Sequence, residues 1–278
     1  MKVLLVPKIG FCFGVKRAID ISVECLKKYP KPCQVLGPLV HNEFVVKKLK
    51  KKGVKFINSI KEARGGTIII SAHGEDPKVI KEIQNKGFKM IDATCLLVTR
   101  VQDLAKNLQK KGFQVVIIGD KNHKEVESIR AVVAGKAVVV GNEKDVEKLK
   151  TLKNLGVIVQ TTQNPEKVEK ILKKLKKKFK NVEFCNTLCP TVQSYQKEVR
   201  NLAKNVDVML IVGSKTSANT MKLAEVAKMC NNSVYHLESA SQLKKSWLKG
   251  AKKVGLAGGT STPDWLIQEV VQKIKNYD

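Results

Sequence analysis

Internal repetition constrains this chain more than any other feature of its sequence. Aligned with itself, the sequence falls into three stretches of similar plan punctuated by Cys12, Cys95 and Cys189, which stand 83 and 94 residues apart; repetition on this scale governs every later inference about the fold. In each interval, short Val- and Ile-rich runs bounded by glycine alternate with amphipathic, lysine-rich stretches. That alternation is the pattern of parallel β/α units whose strands are buried on both faces. PCQVLGPLVHN, VKFI, TIIISAHG and FKMIDATC read as the extended segments of the first interval, and QVVIIGD, AVVVG, GVIVQTTQ and VEFCNTLC as those of the second. The third holds only VDVMLIVG, SVYHL and VGLAGG, so the N-terminal KVLLV is expected to complete its sheet. Helices are expected between these runs, with Asn164-Pro165 and Thr262-Pro263-Asp264 marking two starts and SASQLKKSWLKG reading as a further helix. The fold class read from this is α/β, with three units around a pseudo-threefold axis. The segments are 1–12 (N-terminal strand and first cysteine), 13–95, 96–188 and 189–278.

Composition narrows the function classes. The chain has 278 residues, 43% of them hydrophobic, and 52 Lys+Arg against 25 Asp+Glu give a net charge of +27. It is therefore no disordered polyelectrolyte. No apolar run approaches the roughly 20 residues of a bilayer span, and Pro7 and Lys8 interrupt the first apolar stretch. A soluble, cytoplasmic protein without a membrane partner is expected. The positive charge fits a nucleic-acid surface, an anionic substrate or solvated lysine faces. Only Arg17, Arg64, Arg100, Arg130 and Arg200 carry guanidinium groups and aromatic residues are 5%, which argues against nucleic acid as the partner. Seven scattered cysteines read as thiols or metal ligands rather than a disulfide framework. Cys25, Cys33, Cys185 and Cys230 read as small buried hydrophobes.

In open parallel sheets the loops beyond the carboxyl ends of the strands form the binding crevice. Cys12, Cys95 and Cys189 each read as ending a strand and opening a helix, where the helix dipole favours a thiolate. No CxxC pair points to zinc, and three dispersed thiolates suit a 4Fe-4S cluster with one iron left open as a Lewis acid. The other polar loops hold His41-Asn42, Ala72-His73-Gly74, Asn122-His123 with Glu125, Gln160-Thr161-Thr162, Ser214 through Asn219, and Gly259-Thr260-Ser261. Taken one at a time, a loop histidine is as readily a turn residue, and His236 in SVYHL reads as packed. Together, His41, His73, Ser217, Asn219 and Ser261 offer the donors and cations that a phosphate or diphosphate group needs. His123 and Glu125 form an H-x-E pair able to deliver a proton.

GFCFGVKRAI, GPLVHN, SAHG, DATCLLV, NHKEV, QTT, NTLC, GSKTSAN and GGTSTPDW, in this order along the whole chain, resemble the 4-hydroxy-3-methylbut-2-enyl diphosphate reductases, the last enzymes of the methylerythritol phosphate route to isoprenoids. The resemblance implies a trefoil of three α/β domains around a central, oxygen-sensitive 4Fe-4S cluster held by Cys12, Cys95 and Cys189. It implies an oxidoreductase that removes the allylic hydroxyl of its diphosphate substrate as water, giving isopentenyl and dimethylallyl diphosphate. It also implies that His41, His73, Ser217, Asn219 and Ser261 hold the diphosphate and that His123 binds substrate and relays protons. Glu125 would be the proton source, Thr161 would order the hydroxyl, and reduced ferredoxin or flavodoxin would supply the electrons. The chain departs from the family pattern at Leu96, at Pro190-Thr191-Val192, at Tyr195-Gln196 where Arg-Gln is usual, and at Ala218. The rival readings are another three-cysteine trefoil enzyme of the quinolinate synthase type, and a basic RNA-associated protein.

Overall fold

The computed structural model describes residues 1–150 and 153–277. The chain opens with β1 (Lys2–Leu5), α1 (Phe13–Lys28), β2 (Cys33–Leu36), α2 (Glu43–Lys51), β3 (Lys55–Ile57), β4 (Thr67–Ile70), α3 (Pro77–Asn85) and β5 (Lys89–Asp92). It continues with α4 (Leu96–Lys110), β6 (Gln114–Ile118), α5 (Lys124–Val132), β7 (Val138–Val140), α6 (Glu143–Glu147), β8 (Asn154–Val159), α7 (Pro165–Lys178) and β9 (Asn181–Phe184). Last come α8 (Pro190–Ala203), β10 (Val208–Val212), α9 (Ala218–Lys228), β11 (Val234–Leu237), β12 (Lys253–Gly258) and α10 (Asp264–Lys275).

The strands form three four-stranded parallel sheets of one topology: β3-β2-β4-β5, β7-β6-β8-β9 and β11-β10-β12-β1. In the third, β1 takes the edge that β5 and β9 take in the others, with Lys2 opposite Lys253 and Leu5 opposite Leu256. The central strands are buried on both faces because their sequences are apolar at successive positions: Ile68, Ile69 and Ile70 in β4, Val115 to Ile118 in β6, and Val208 to Val212 throughout β10. Helices cover them along apolar stripes. In α7, Val168, Ile171 and Leu175 face inward and each contributes roughly 1.5–3 kcal/mol of burial, while the intervening lysines leave the helix soluble. Pro165 stands in its first turn and Asn164 caps it, its side chain accepting from Glu166 N–H.

A small turn after one edge strand of each sheet repeats as well. The N–H of Asn58 donates to Glu62 Oε2 (3.2 Å) after β3, that of Gly141 to Asp145 Oδ2 (2.8 Å) after β7, and that of Glu238 to Gln242 Oε1 (2.9 Å) after β11. Three different side chains thus satisfy the same backbone donor. The equivalence of the three α/β units holds at this level of detail.

Three sequence expectations are corrected. SASQLKKSWLKG forms two short 3₁₀ turns, Ala240–Gln242 and Lys245–Leu248, instead of one helix. Its serines bond to each other (Ser239 Oγ to Ser241 Oγ, 2.7 Å) and Trp247 stacks on Tyr235 at 4.3 Å, both of which compete with a helical path. The short helix α6 arises where none was expected, capped by Asn142. Cys25 and Cys33 are fully buried but joined in a disulfide, since the end of α1 and the start of β2 bring their Cα atoms to 6.3 Å, within bridging reach. Cys185 and Cys230 are only partly buried.

By the density of internal contacts the chain divides into two compact units: one of Met1–Lys16, His41–Val45 and Pro190–Asp278, the other of Arg17–Val40 and Val46–Cys189. The first contains the sheet of β10, β11, β12 and β1, and the second contains the other two sheets. Among the described residues no helix is long and apolar enough to cross a membrane.

Candidate active site

Each sheet ends one of its inner strands in the same hydrogen-bonded turn. Gly74 N–H donates to Ser71 O after β4 (3.2 Å), Gln163 N–H to Gln160 O after β8 (3.1 Å), and Thr262 N–H to Gly259 O after β12 (2.8 Å). The second residue of each turn offers its carbonyl to a cysteine. Cys95 N–H donates to Ala72 O (3.0 Å), Cys189 N–H to Thr161 O (2.9 Å) and Cys12 N–H to Thr260 O (3.0 Å). The three cysteines are therefore equivalent positions of three equivalent sheets, each immediately before a helix: α1, α4 or α8.

They do not end strands, as the sequence suggested. β5 stops at Asp92 and β9 at Phe184, and a polar loop bridges the gap. Before Cys95 that loop is fixed by Asp92, which accepts from Thr94 N–H (2.8 Å) and the Thr94 hydroxyl, and by Arg17, which donates to Thr94 O (2.9 Å) and Asp92 O (3.4 Å). Nor is a bare thiolate favoured at Cys95, although the start of α4 pulls that way. Burial raises the thiol above its ordinary value, with the charges of Cys189 and Glu125 adding to the rise, and the N–H groups of Leu97 and Val98 recover only part of it. Such a site keeps a proton until a bound cation displaces it.

The unit built on β2 to β9 holds Cys95, Cys189, His73, His123, Glu125 and Thr161. His123 caps α5, its Nδ1 accepting from Glu125 N–H (3.2 Å), and its ring meets that of His73 edge to face with centroids 5.7 Å apart. Glu125 is 2% exposed in the first turn of α5. Its Oε1 accepts from Thr161 N–H (2.7 Å) and its Oε2 from Thr161 Oγ1 (2.9 Å). Burial pushes its carboxyl up to about 7 against the opposing pull of those two bonds, with Asp120 adding to the rise. A carboxyl of that value at neutral pH is suited to general acid catalysis.

Sequence reasoning did not single out the brace behind this arrangement. The single proton of Ser128 Oγ is shared between His73 O (2.8 Å) and Glu125 O (2.9 Å), and the same oxygen accepts from Gln102 Nε2 (3.1 Å), tying the His73 loop to α5. Gly74, at φ +79°, is required there, since a Cβ would come within 2.6 Å of Gln102 Nε2. Ser128 stands one turn after Glu125, which was the available signal.

The other unit holds Cys12, His41, Ser217, Asn219 and Ser261. Ser217 caps α9, and Ser261 Oγ lies 3.5 Å from Ser217 Oγ and 3.3 Å from the His41 carbonyl, to which it donates. Asn219, 3% exposed in the first turn of α9, has neither carboxamide atom hydrogen-bonded among the described residues. The start of the eleven-residue α9, two hydroxyls and an unsatisfied buried amide are groups of the kind that suit an anionic ligand. Val192 is buried and Thr191 exposed, so neither adds a hydroxyl to a buried pocket.

Thiols are soft donors of the type that iron–sulfur clusters use, and Cys12, Cys95 and Cys189 all stand outside the disulfide. Each of the three stands on the same backbone anchor. Among the described residues no three His, Cys, Asp or Glu side chains gather closely enough for a single metal ion.

The sequence profile of the family described as "LytB protein" matches residues 3–275. The 4-hydroxy-3-methylbut-2-enyl diphosphate reductase of Geobacter metallireducens is 36% identical over 278 residues, covering 100% of this chain and 98% of that protein. The enzyme of the same name from Geotalea uraniireducens is 39% identical with the same coverage. The solved structure of the E-1-hydroxy-2-methyl-but-2-enyl-4-diphosphate reductase from Plasmodium falciparum superimposes with a TM-score of 0.94 at 33% identity, over 98% of this chain and 87% of that one. With a profile match over nearly its whole length and relatives well above 30% identity from end to end, the chain belongs to the LytB protein family.

Proposed function

We propose that this protein catalyses the two-electron reductive dehydroxylation of (E)-4-hydroxy-3-methylbut-2-enyl diphosphate to isopentenyl and dimethylallyl diphosphate, using a 4Fe-4S cluster held by Cys12, Cys95 and Cys189. The observation that carries this reading is the identical backbone anchoring of those three cysteines in three equivalent sheets. When bound, such a cluster supplies electrons one at a time and, through the iron that no thiolate holds, a Lewis acid toward the hydroxyl oxygen. The substrate takes up two electrons and two protons and releases one water, and the carbon skeleton and diphosphate are retained.

The chain's own residues do the rest. Ser217, Asn219 and Ser261, with His41 and His73, bind the diphosphate, and binding energy at that remote end positions the reacting hydroxyl. Glu125, buried and with its carboxyl near half protonation at neutral pH, donates the proton that turns the departing hydroxyl into water. Thr161 fixes the orientation of that carboxyl through both oxygens. His123, which caps the helix bearing Glu125, passes the replacement proton. The electrons come from a reduced ferredoxin or flavodoxin, an acidic carrier suited to a chain of net charge +27.

The test is anaerobic oxidation of reduced viologen by the cluster-reconstituted protein, started by adding the hydroxylated diphosphate, with iron and sulfide measured on the same sample. Turnover that depends on substrate and is lost in Glu125→Gln supports the reading. A full complement of cluster with no turnover at high substrate concentration overturns it.

A further inference from the structure

We propose that Tyr195 is a positioning residue for Cys12, holding the loop that presents this thiol through a hydrogen bond that its phenol makes to the carbonyl of Gly10. The inference rests on the proposed role of Cys12 as a cluster ligand and adds to it a residue that acts through the loop before that thiol. Tyr195 lies on α8, is 4% exposed, and packs its ring into the core with Val6, Val199 and Ile9. Its hydroxyl reaches Gly10 O at 3.5 Å, two residues before Cys12. A buried phenol needs such a partner, and at neutral pH it is protonated and able to donate.

Contacts from α8, from Thr260 and from the start of α10 help to hold the loop. Tyr195 takes Gly10 from α8, Thr260 O takes Cys12 N–H, and Asp264 at the start of α10 packs so closely on Gly10 that a Cβ there would overlap its Oδ1. Gly10 has φ +89°, a conformation open mainly to glycine, so the loop follows a path that local preference alone would not impose. Of the three anchors only the phenol can be removed with little change in shape, because phenylalanine keeps the ring in the core.

Tyr195→Phe decides the matter with two readouts beside activity. The first is the rate at which the visible absorbance of the reconstituted cluster bleaches under an iron chelator. The second is the alkylation rate of each thiol by iodoacetamide in the cluster-free protein, resolved by mass spectrometry. Loss of one neutral hydrogen bond predicts that Tyr195→Phe bleaches roughly two- to ten-fold faster and that Cys12 is alkylated faster by a similar factor. Cys95 and Cys189 should keep their native rates and the melting temperature should hardly move. Unchanged rates at Cys12, or equal acceleration at all three thiols with a fall in melting temperature, overturns the proposal. If the wild-type protein takes up no cluster, the functional reading fails, while the alkylation of Cys12 still decides the role of Tyr195.

Discussion

Thr161 grips Glu125 at both carboxylate oxygens, through its backbone N–H at 2.7 Å and its hydroxyl at 2.9 Å. The two residues are 36 positions apart in sequence, and the strand order accounts for their meeting: one follows β8 and the other follows β6, neighbours in the same sheet. Burial drives the carboxyl toward its neutral form and Thr161 favours the charged one, and burial prevails by enough to leave the pKa at about 7.

The first consequence concerns stability. Because the folded state binds the Glu125 proton more tightly than the unfolded chain does, this group stabilises the fold fully below pH 4.5. That contribution falls as pH rises and is gone above about 7. The shift corresponds to about 3 kcal/mol. Urea unfolding of the wild type and of Glu125→Gln, whose amide mimics the protonated acid, should show the wild type losing up to that amount relative to the variant between pH 4.5 and 7. A difference that stays flat across that range contradicts the assignment.

The second concerns the pH profile of turnover. Thr161→Val removes the hydroxyl that favours the ionised carboxylate, so the pKa of Glu125 rises further. The alkaline limb of kcat/KM should move to higher pH. Activity at the optimum should fall roughly ten- to a hundred-fold, since a hydrogen bond to a charged group is worth about 1.5–3 kcal/mol. A profile whose limb stays in place, measured with reduced viologen, would mean that another group sets it.

Much of this was legible in the sequence, for physical reasons that differ from element to element. Runs such as Ile68-Ile69-Ile70 announce doubly buried strands because short stretches of branched apolar residues between turn residues suit a strand covered on both faces, and the missing strand of the third unit identified the role of β1. The five-residue α6 was hidden because a segment so short has no periodicity to detect. The Ala240–Gln242 and Lys245–Leu248 turns were misread because lysine and leucine spacing suggested a helix while serine–serine and Tyr235–Trp247 contacts redirected the chain. At the site the residue types were readable, but the sign of the Cys95 shift was not. A helix start lowers a thiol's pKa and burial raises it, and only packing decides which is larger.

The third prediction separates the cysteines. Cys12→Ser, Cys95→Ser and Cys189→Ser should each abolish stable cluster incorporation, measured as bound iron and sulfide per chain. Cys185→Ser and Cys230→Ser, whose thiols lie outside the repeated anchor, should incorporate iron at the wild-type level. Equal loss of iron in all five variants would mean general misfolding rather than ligation.

The last prediction turns on Asn219. Its carboxamide is buried in the first turn of α9 with no hydrogen bond at either atom among the described residues, an arrangement that costs folding free energy, of the order of 1–3 kcal/mol for a buried group without a partner. A structural asparagine would be satisfied by the protein, whereas one shaped for a ligand is satisfied only when the ligand arrives. Asn219→Ala should therefore leave the ligand-free protein as stable as the wild type or slightly more so. It should raise KM roughly ten- to a hundred-fold if the amide bonds a charged phosphate oxygen, with kcat much less affected because the contact is far from the bond that breaks. A thermal shift with inorganic diphosphate should be smaller in the variant. If Asn219→Ala instead melts several degrees below the wild type without ligand and keeps its KM, the amide belongs to the packing of α9 and the anion is held without it.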